Sequence, residues 1–180
     1  MTRVAAVVLA AGQASRFGSP KQLVLLPEVL ARLAESPVDE IVVVEGAHRL
    51  DPPSNTVLQG IPARLVSCPE WALGQGASLR CGLGALGDDV SAAVVVLADG
   101  PDLAPAAVQR VLEAWNATAT PVIAASYGGG RGHPLVLARA AWADVPDEGL
   151  RGREVLLVPC DDLGAPGDVD TPADLPQRLR

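Results

Sequence analysis

The sequence predicts an α/β fold in which a mostly parallel sheet is covered by helices on both faces. Short valine-rich runs alternate with helical patterns and turn residues along all 180 residues, the arrangement that strand–helix units joined by crossovers require. The apolar runs lack strict polar alternation, as strands buried on both faces do. Hydrophobic residues make up 49% of the chain but only 3% are aromatic, so the core must be built from Val, Leu, Ile and Ala. With no internal repeat and no second pattern of elements, residues 1–180 read as a single domain.

The elements follow in order. Arg3–Leu9 is a first buried strand, and Ala10 to Lys21 is a small, glycine-bearing, basic loop after it. A helix is expected over Pro27–Glu35, then strands at Ile41–Val44 and Arg64–Ser67, and a helix over Ala77–Leu86. Ala92–Leu97 is a strand and Pro105–Asn116 a helix. Gly128 to Gly132 is a flexible turn between strands Pro121–Ser126 and His133–Ala138. A short helix at Arg139–Ala143, a strand at Glu154–Val158 and a helix at Pro172–Leu179 complete the chain. Pro27, Pro105 and Pro172 are each assigned to a first helical turn, where a missing N–H costs nothing. Thr171 and Asp174 have the spacing of an N-cap and a first-turn acid.

A net charge of −7 with no basic stripe excludes nucleic acid and anionic membranes as partners. No apolar run approaches the roughly 20 residues that span a bilayer, and the N-terminus lacks a basic flank before a cleavable apolar segment. Cys68, Cys81 and Cys160 are odd in number and form no C-x-x-C, so they are expected as reduced thiols in a cytoplasmic protein.

The chain has 14 basic residues and Lys21 is the sole lysine among them, so its compact ammonium stands out against the arginines. The loop before it fails two commoner glycine motifs. Gly18 is followed by Ser19 and Pro20 before Lys21, which breaks the P-loop spacing. Counting from Gly12, Ala14 and Phe17 occupy positions that a dinucleotide fingerprint gives to glycine. What remains is a tight turn whose N–H groups can cradle phosphate oxygens, with Arg16 and Lys21 to neutralise charge during phosphoryl or nucleotidyl transfer. Asp99 follows the strand Ala92–Leu97 at its carboxyl end, where α/β sheets gather ligands, and is suited to Mg²⁺. Asp102 is assigned to capping the helix at Pro105. Asp168 and Asp170 alternate in an extended segment, so one of them can join Asp99 at a metal while the other faces away; the same segment also reads as the start of a C-terminal helix.

Leu9-Ala10-Ala11-Gly12, Arg16, Phe17-Gly18 and Pro20-Lys21 together resemble the signature of the MobA-like nucleotidyltransferases, and the resemblance runs over nearly the whole chain. It implies a Rossmann-like three-layer α/β sandwich of the nucleotide-diphospho-sugar transferase type. Trp71 to Gly74, Ser78-Leu79 and Gly82 resemble the segment leading into the family's second major helix, and Leu97 to Pro101 its metal-binding strand end. Gly132-His133-Pro134, Asp147 to Arg151 and Asp168 to Pro172 resemble the molybdenum-cofactor cytidylyltransferase branch. Carried over by position, Leu9, Ala10, Ala11 and Gly12 line the nucleotide, Arg16 and Lys21 hold its phosphates, and Asp99, with Asp168 or Asp170, holds Mg²⁺. Lys21, Arg16 and Asp99 are then the catalytic set.

The Leu-Ala-Ala-Gly form is the one associated with CTP, and the Ala11 methyl narrows the space for a purine. The implied reaction moves CMP from CTP to the phosphate of molybdopterin and releases pyrophosphate; a molybdenum enzyme is the implied partner. GTP-dependent transfer, or a non-catalytic carrier of nucleotide or cofactor, are the alternatives. Cys68 stands where the family usually presents Asn or Asp, and a thiol reads a base weakly. His133 reads either as the polar start of a strand or as a hydrogen-bond partner for the acceptor. Ser78 suits a helix N-cap and is also assigned, with His133, to the acceptor.

Overall fold

Alternation along β1 (Arg3–Leu9) sets the layering: Val4, Ala6 and Val8 join one apolar cluster, while Ala5 and Val7 join another on the opposite face. The computed structural model describes residues 2–13, 21–50 and 56–180. The first cluster is roofed by α1 (Gln22–Ala34) through Leu26, Val29, Leu30 and Leu33, and by α3 (Pro105–Thr118) through Val108, Val111 and Leu112. The second is roofed by α2 (Gln75–Gly84) through Leu79 and Leu83, and by a 3-10 segment at Arg139–Asp144. The result is a three-layer α/β sandwich. Two-faced burial explains why the strands read as continuous apolar runs.

The remaining strands are β2 (Glu40–Glu45), β3 (Thr56–Leu58), β4 (Ile61–Ser67), β5 (Val90–Leu97), β6 (Val122–Tyr127), β7 (Gly130–Ala138) and β8 (Leu156–Pro159). Their order is β3-β4-β2-β1-β5-β7-β6-β8. β1 pairs in parallel with both β2 and β5, β2 with β4, and β6 with β8. β3 and β7 run against their neighbours. The carboxyl ends of β1, β5, β6 and β8 therefore share one edge of the sheet with the start of β7. α2 lies close on that sheet, because a Cβ on Gly82 would come within 2.6 Å of Val7 Cγ1 and 2.8 Å of Val44 Cγ2.

Several expectations are corrected. α1 begins at Gln22, with Val24 and Leu25 N–H groups bonded to the Lys21 carbonyl, so Pro27 lies inside the helix and not in its first turn. β3 was not expected, and β7 is antiparallel because the hairpin from β6 closes over two glycines with positive φ, Gly128 and Gly129. The segment at Arg139 is 3-10 and not an α-helix. The expected helix at Pro172–Leu179 is two 3-10 turns, Pro172–Asp174 and Gln177–Leu179. Pro176 separates them by holding Leu175 at ψ 130°. The cap and first-turn acid at Thr171 and Asp174 are present as a capping box.

Asp102 does not cap α3, whose N-cap is Ala104; its carboxylate instead accepts a 2.6 Å hydrogen bond from Arg178. Cys68 and Cys81 form a disulfide with Cα atoms 5.7 Å apart, and only Cys160 is a free, buried thiol. The spacing shows no motif because the fold brings together the exit of β4 and the middle of α2. No helix among the described residues is long and apolar enough to cross a membrane.

Candidate active site

Two cavities open at the carboxyl edge of the sheet and meet at Asp99. The first, about 480 Å³, is lined by Leu9 to Gly12 at the end of β1, by Lys21 and Gln22 at the start of α1, and by Trp71, Gln75 and Ser78 before and within α2. The second, about 770 Å³, lies over the start of β7, with Tyr127, Arg131, His133, Arg151 and Asp168 in its walls. Leu9, Gln75, Leu97 and Asp99 line both.

Backbone bonds hold the floor. Ala10 N–H donates to the Val44 carbonyl at 3.0 Å, Ala98 N–H to Leu9 at 3.1 Å and Ala47 N–H to Ala11 at 3.0 Å. These bonds continue the parallel pairing past the strand ends, which brings Ala11 and Asp99 to neighbouring positions. α2 is fixed from the other side. Gly76 N–H donates 2.8 Å to the Asp147 carbonyl, and a Cβ at Gly76 would lie 1.7 Å from the Pro146 carbonyl oxygen, so only glycine fits there. Arg80 pins the same 145–147 segment through the Val145 carbonyl at 2.8 Å and the Asp147 carboxylate. One loop thus braces both cavities.

Lys21 is not exposed, as a loop position suggested, but 9% exposed beside the amino end of α1. Its Nζ donates to Asp99 Oδ2 at 3.0 Å and to the Val169 carbonyl at 2.6 Å, and lies 3.5 Å from Asp170 Oδ1. Val169 is itself buried, and its N–H donates to the Asp99 carbonyl at 3.2 Å. Asp170 therefore shares the ammonium with Asp99 and lines the first cavity, while Asp168, on the other side of Val169, lines the second. Burial, then the nearby Asp99 and Asp170 carboxylates, hold the Asp168 carboxyl above its usual range. Among the described residues no three His, Cys, Asp or Glu side chains gather as a ready metal cage.

In the second cavity, burial and then Arg131 push His133 down to about 4, which keeps its imidazole neutral at physiological pH. Arg131 is occupied by the Leu150 carbonyl at 2.7 Å and the Arg153 carbonyl at 3.3 Å. Arg151 is exposed at the cavity wall. Tyr127 OH donates to the His133 carbonyl at 3.1 Å.

Of the residues singled out from sequence, Leu9, Ala10, Ala11, Gly12, Lys21, Asp99, Asp170 and Ser78 line the first cavity, and His133 and Asp168 the second. Arg16 lies outside the described residues. Ser78 is a buried residue inside α2, whose N-cap is Gly74, so it is not the helix cap. It also stands in a different cavity from His133, although both were assigned to one acceptor. Gln22, Gln75 and the Val169 carbonyl were missed. They owe their places to helix starts and to a backbone atom, for which sequence carries no signal.

No curated protein sequence matches the chain. Among solved structures, it is similar to Rv0371c from Mycobacterium tuberculosis H37Rv, at 28% identity and a TM-score of 0.75 over 96% of this chain and 95% of that one. A manganese complex of Rv0371c aligns at 24% identity with a TM-score of 0.67 over 99% and 97% of the two chains. A nucleotidyl transferase from Methanothermobacter thermautotroptrophicus shares the fold at 22% identity, with a TM-score of 0.67 over 97% and 94%. The MobA-like NTP transferase domain matches residues 6–162, which runs from within β1 through β8 and takes in Lys21, Asp99 and His133. The chain belongs to the MobA-like NTP transferase family, and it is a nucleotidyltransferase.

Proposed function

We propose that the protein transfers CMP from CTP to the phosphate of a molybdopterin acceptor and releases pyrophosphate. The observation that carries this reading is the meeting of two cavities at Asp99, one beside a buried lysine and one walled by Arg151 and a neutral imidazole. In-line transfer needs that arrangement, a nucleotide and an acceptor approaching one phosphorus from opposite sides. An acceptor phosphate oxygen attacks the α-phosphorus, a new P–O bond forms, and the bond to the leaving pyrophosphate breaks. Lys21 is the fixed cation for the triphosphate, its position set by the Val169 carbonyl. Arg151 suits the acceptor's anionic group, and neutral His133 suits an uncharged heterocycle better than a second phosphate. The Ala11 methyl, buried at the cavity wall, favours the smaller pyrimidine.

A divalent ion fits these residues. Asp99 together with either Asp168 or Asp170 offers a small set of hard oxygen donors, which suits an ion that keeps several waters and shares substrate phosphates. Asp99, with either later acid, would hold Mg²⁺, which when bound neutralises charge on the α-phosphate and the leaving group. The manganese complex of Rv0371c supports a divalent ion here. Pyrophosphate release from each of the four nucleoside triphosphates, with and without molybdopterin and Mg²⁺, tests the reading. Release from CTP that depends on both is expected; release indifferent to molybdopterin contradicts it.

A further inference from the structure

Among the described residues, two buried side-chain atoms lack a hydrogen-bond partner, and one of them, Gln22 Oε1, belongs to a side chain that lines the first cavity. Gln22 is only 4% exposed, follows Lys21 directly and opens α1. Its amide cannot simply turn over. Nε2 donates to the Gly12 carbonyl at 2.8 Å, and the reversed amide would set oxygen against oxygen. Oε1 is therefore an acceptor, held in place, for which the described residues supply no donor. Buried polar atoms are nearly always paired, so an unpaired one in a side chain that lines a cavity calls for a donor from the ligand.

The identity of that donor is restricted by chemistry. Phosphate oxygens are themselves acceptors and cannot satisfy Oε1. The nucleoside part of a nucleotide does carry donors, as ribose hydroxyls and as the amino group of a base. Cys68, at the position where sequence reasoning looked for a base reader, is bonded to Cys81 and has no thiol to offer. We propose that Gln22 Oε1 accepts a hydrogen bond from an O–H or N–H donor on the nucleoside part of the bound triphosphate, so that Gln22 is a specificity-determining residue. The inference rests on the reading that the first cavity takes the nucleotide. Through Nε2 the same side chain steadies Gly12, and one amide links the strand-end backbone to substrate choice.

The test is a coupling measurement by titration calorimetry with α,β-methylene CTP, which cannot react. Its 2′-deoxy and 3′-deoxy forms remove the sugar hydroxyls in turn, and α,β-methylene UTP replaces the base amino group by an oxygen. Each is titrated into the unmodified protein, Gln22→Leu and Gln22→Lys, the last keeping a donor toward the Gly12 carbonyl without any acceptor. One of the three altered nucleotides should bind the unmodified protein roughly tenfold more weakly than the parent, as loss of one hydrogen bond implies. The variants should bind that nucleotide and the parent alike. Which nucleotide shows the loss identifies sugar or base as the source. Equal loss in all three proteins, or no loss for any nucleotide in the unmodified protein, overturns the role of Gln22 while leaving the proposed function standing. Failure of the unmodified protein to bind any of them overturns both. Should one variant not fold, judged by its melting curve, the other carries the comparison with the unmodified protein.

Discussion

The two cavities are built by different means. The first rests on parallel strands, with β1 flanked by β2 and β5 in register and their ends tied by backbone bonds. Among the described residues its lining carries one cation, Lys21, held by two carboxylates and a carbonyl. The second lies over the antiparallel β5–β7–β6 part of the sheet, and side chains from distant loops furnish its chemistry. A backbone frame suits an element common to all nucleotides, the triphosphate; a side-chain frame suits an acceptor that differs between relatives. The comparison teaches where to expect shared and private chemistry within one sheet edge.

The largest effects should fall where the cavities join. Asp99→Asn and Lys21→Ala are each expected to lower turnover by about 10²–10³, as loss of a preorganised charge at a phosphoryl centre does. Asp99→Asn should exceed Asp168→Asn and Asp170→Asn, because of these three acids Asp99 alone lines both cavities. Metal-dependent pyrophosphate release measures this, and full activity in Asp99→Asn would move the metal site to the later acids. Lys21→Ala should also lower stability, on the order of 1 kcal/mol, since it strips a shared partner from two partly exposed carboxylates.

On the first-cavity side alone, the unmodified protein should prefer CTP to GTP by roughly 10–200-fold, the worth of one methyl in a tight site. Ala11→Gly should reduce that preference. Equal kcat/KM for the two nucleotides in the unmodified protein would sink the assignment. On the second-cavity side, Arg151→Ala should raise the acceptor KM about tenfold through loss of a charged hydrogen bond and leave the CTP KM unchanged. A change in the CTP KM instead would erase the distinction between the cavities.

The smallest effect concerns pH. An unfolded imidazole takes its proton near 6.5, but the partly buried His133 does so only at about 4. Between those values the unfolded state binds more protons, so stability rises with pH and falls on acidification. Its partial exposure limits the loss to the order of 1 kcal/mol. Urea midpoints at pH 6.5 and 4.5 should converge less in the unmodified protein than in His133→Gln. Parallel profiles would remove the buried neutral imidazole from the account.

How legible each cavity was follows from the same contrast. β1 was bounded correctly, Arg3–Leu9, because a buried parallel strand is a local apolar run ending in small residues. The start of α3 at Pro105 followed from its first-turn proline. Asp99 was legible as an acid at a strand end. By contrast, Pro27 looked like a helix start because its neighbours' bonds to Lys21 are invisible in sequence. The burial of Lys21 depends on Val169, and the disulfide joins residues 13 apart with no motif to mark them. The antiparallel β7 follows from a two-glycine hairpin that local pattern showed only as a turn. Contacts made across the sequence, not along it, separate what was read from what was missed.

A crystal structure of the protein with α,β-methylene CTP and Mg²⁺ tests the central claim most directly. The account expects the triphosphate in the cavity between the end of β1 and α2, with a phosphate oxygen within hydrogen-bond distance of Lys21 Nζ and the Asp99 carboxylate turned from the ammonium to the ion. A nucleotide seated instead beside His133 and Arg151, or one bound while Lys21 remains on Asp99 without touching phosphate, would contradict it.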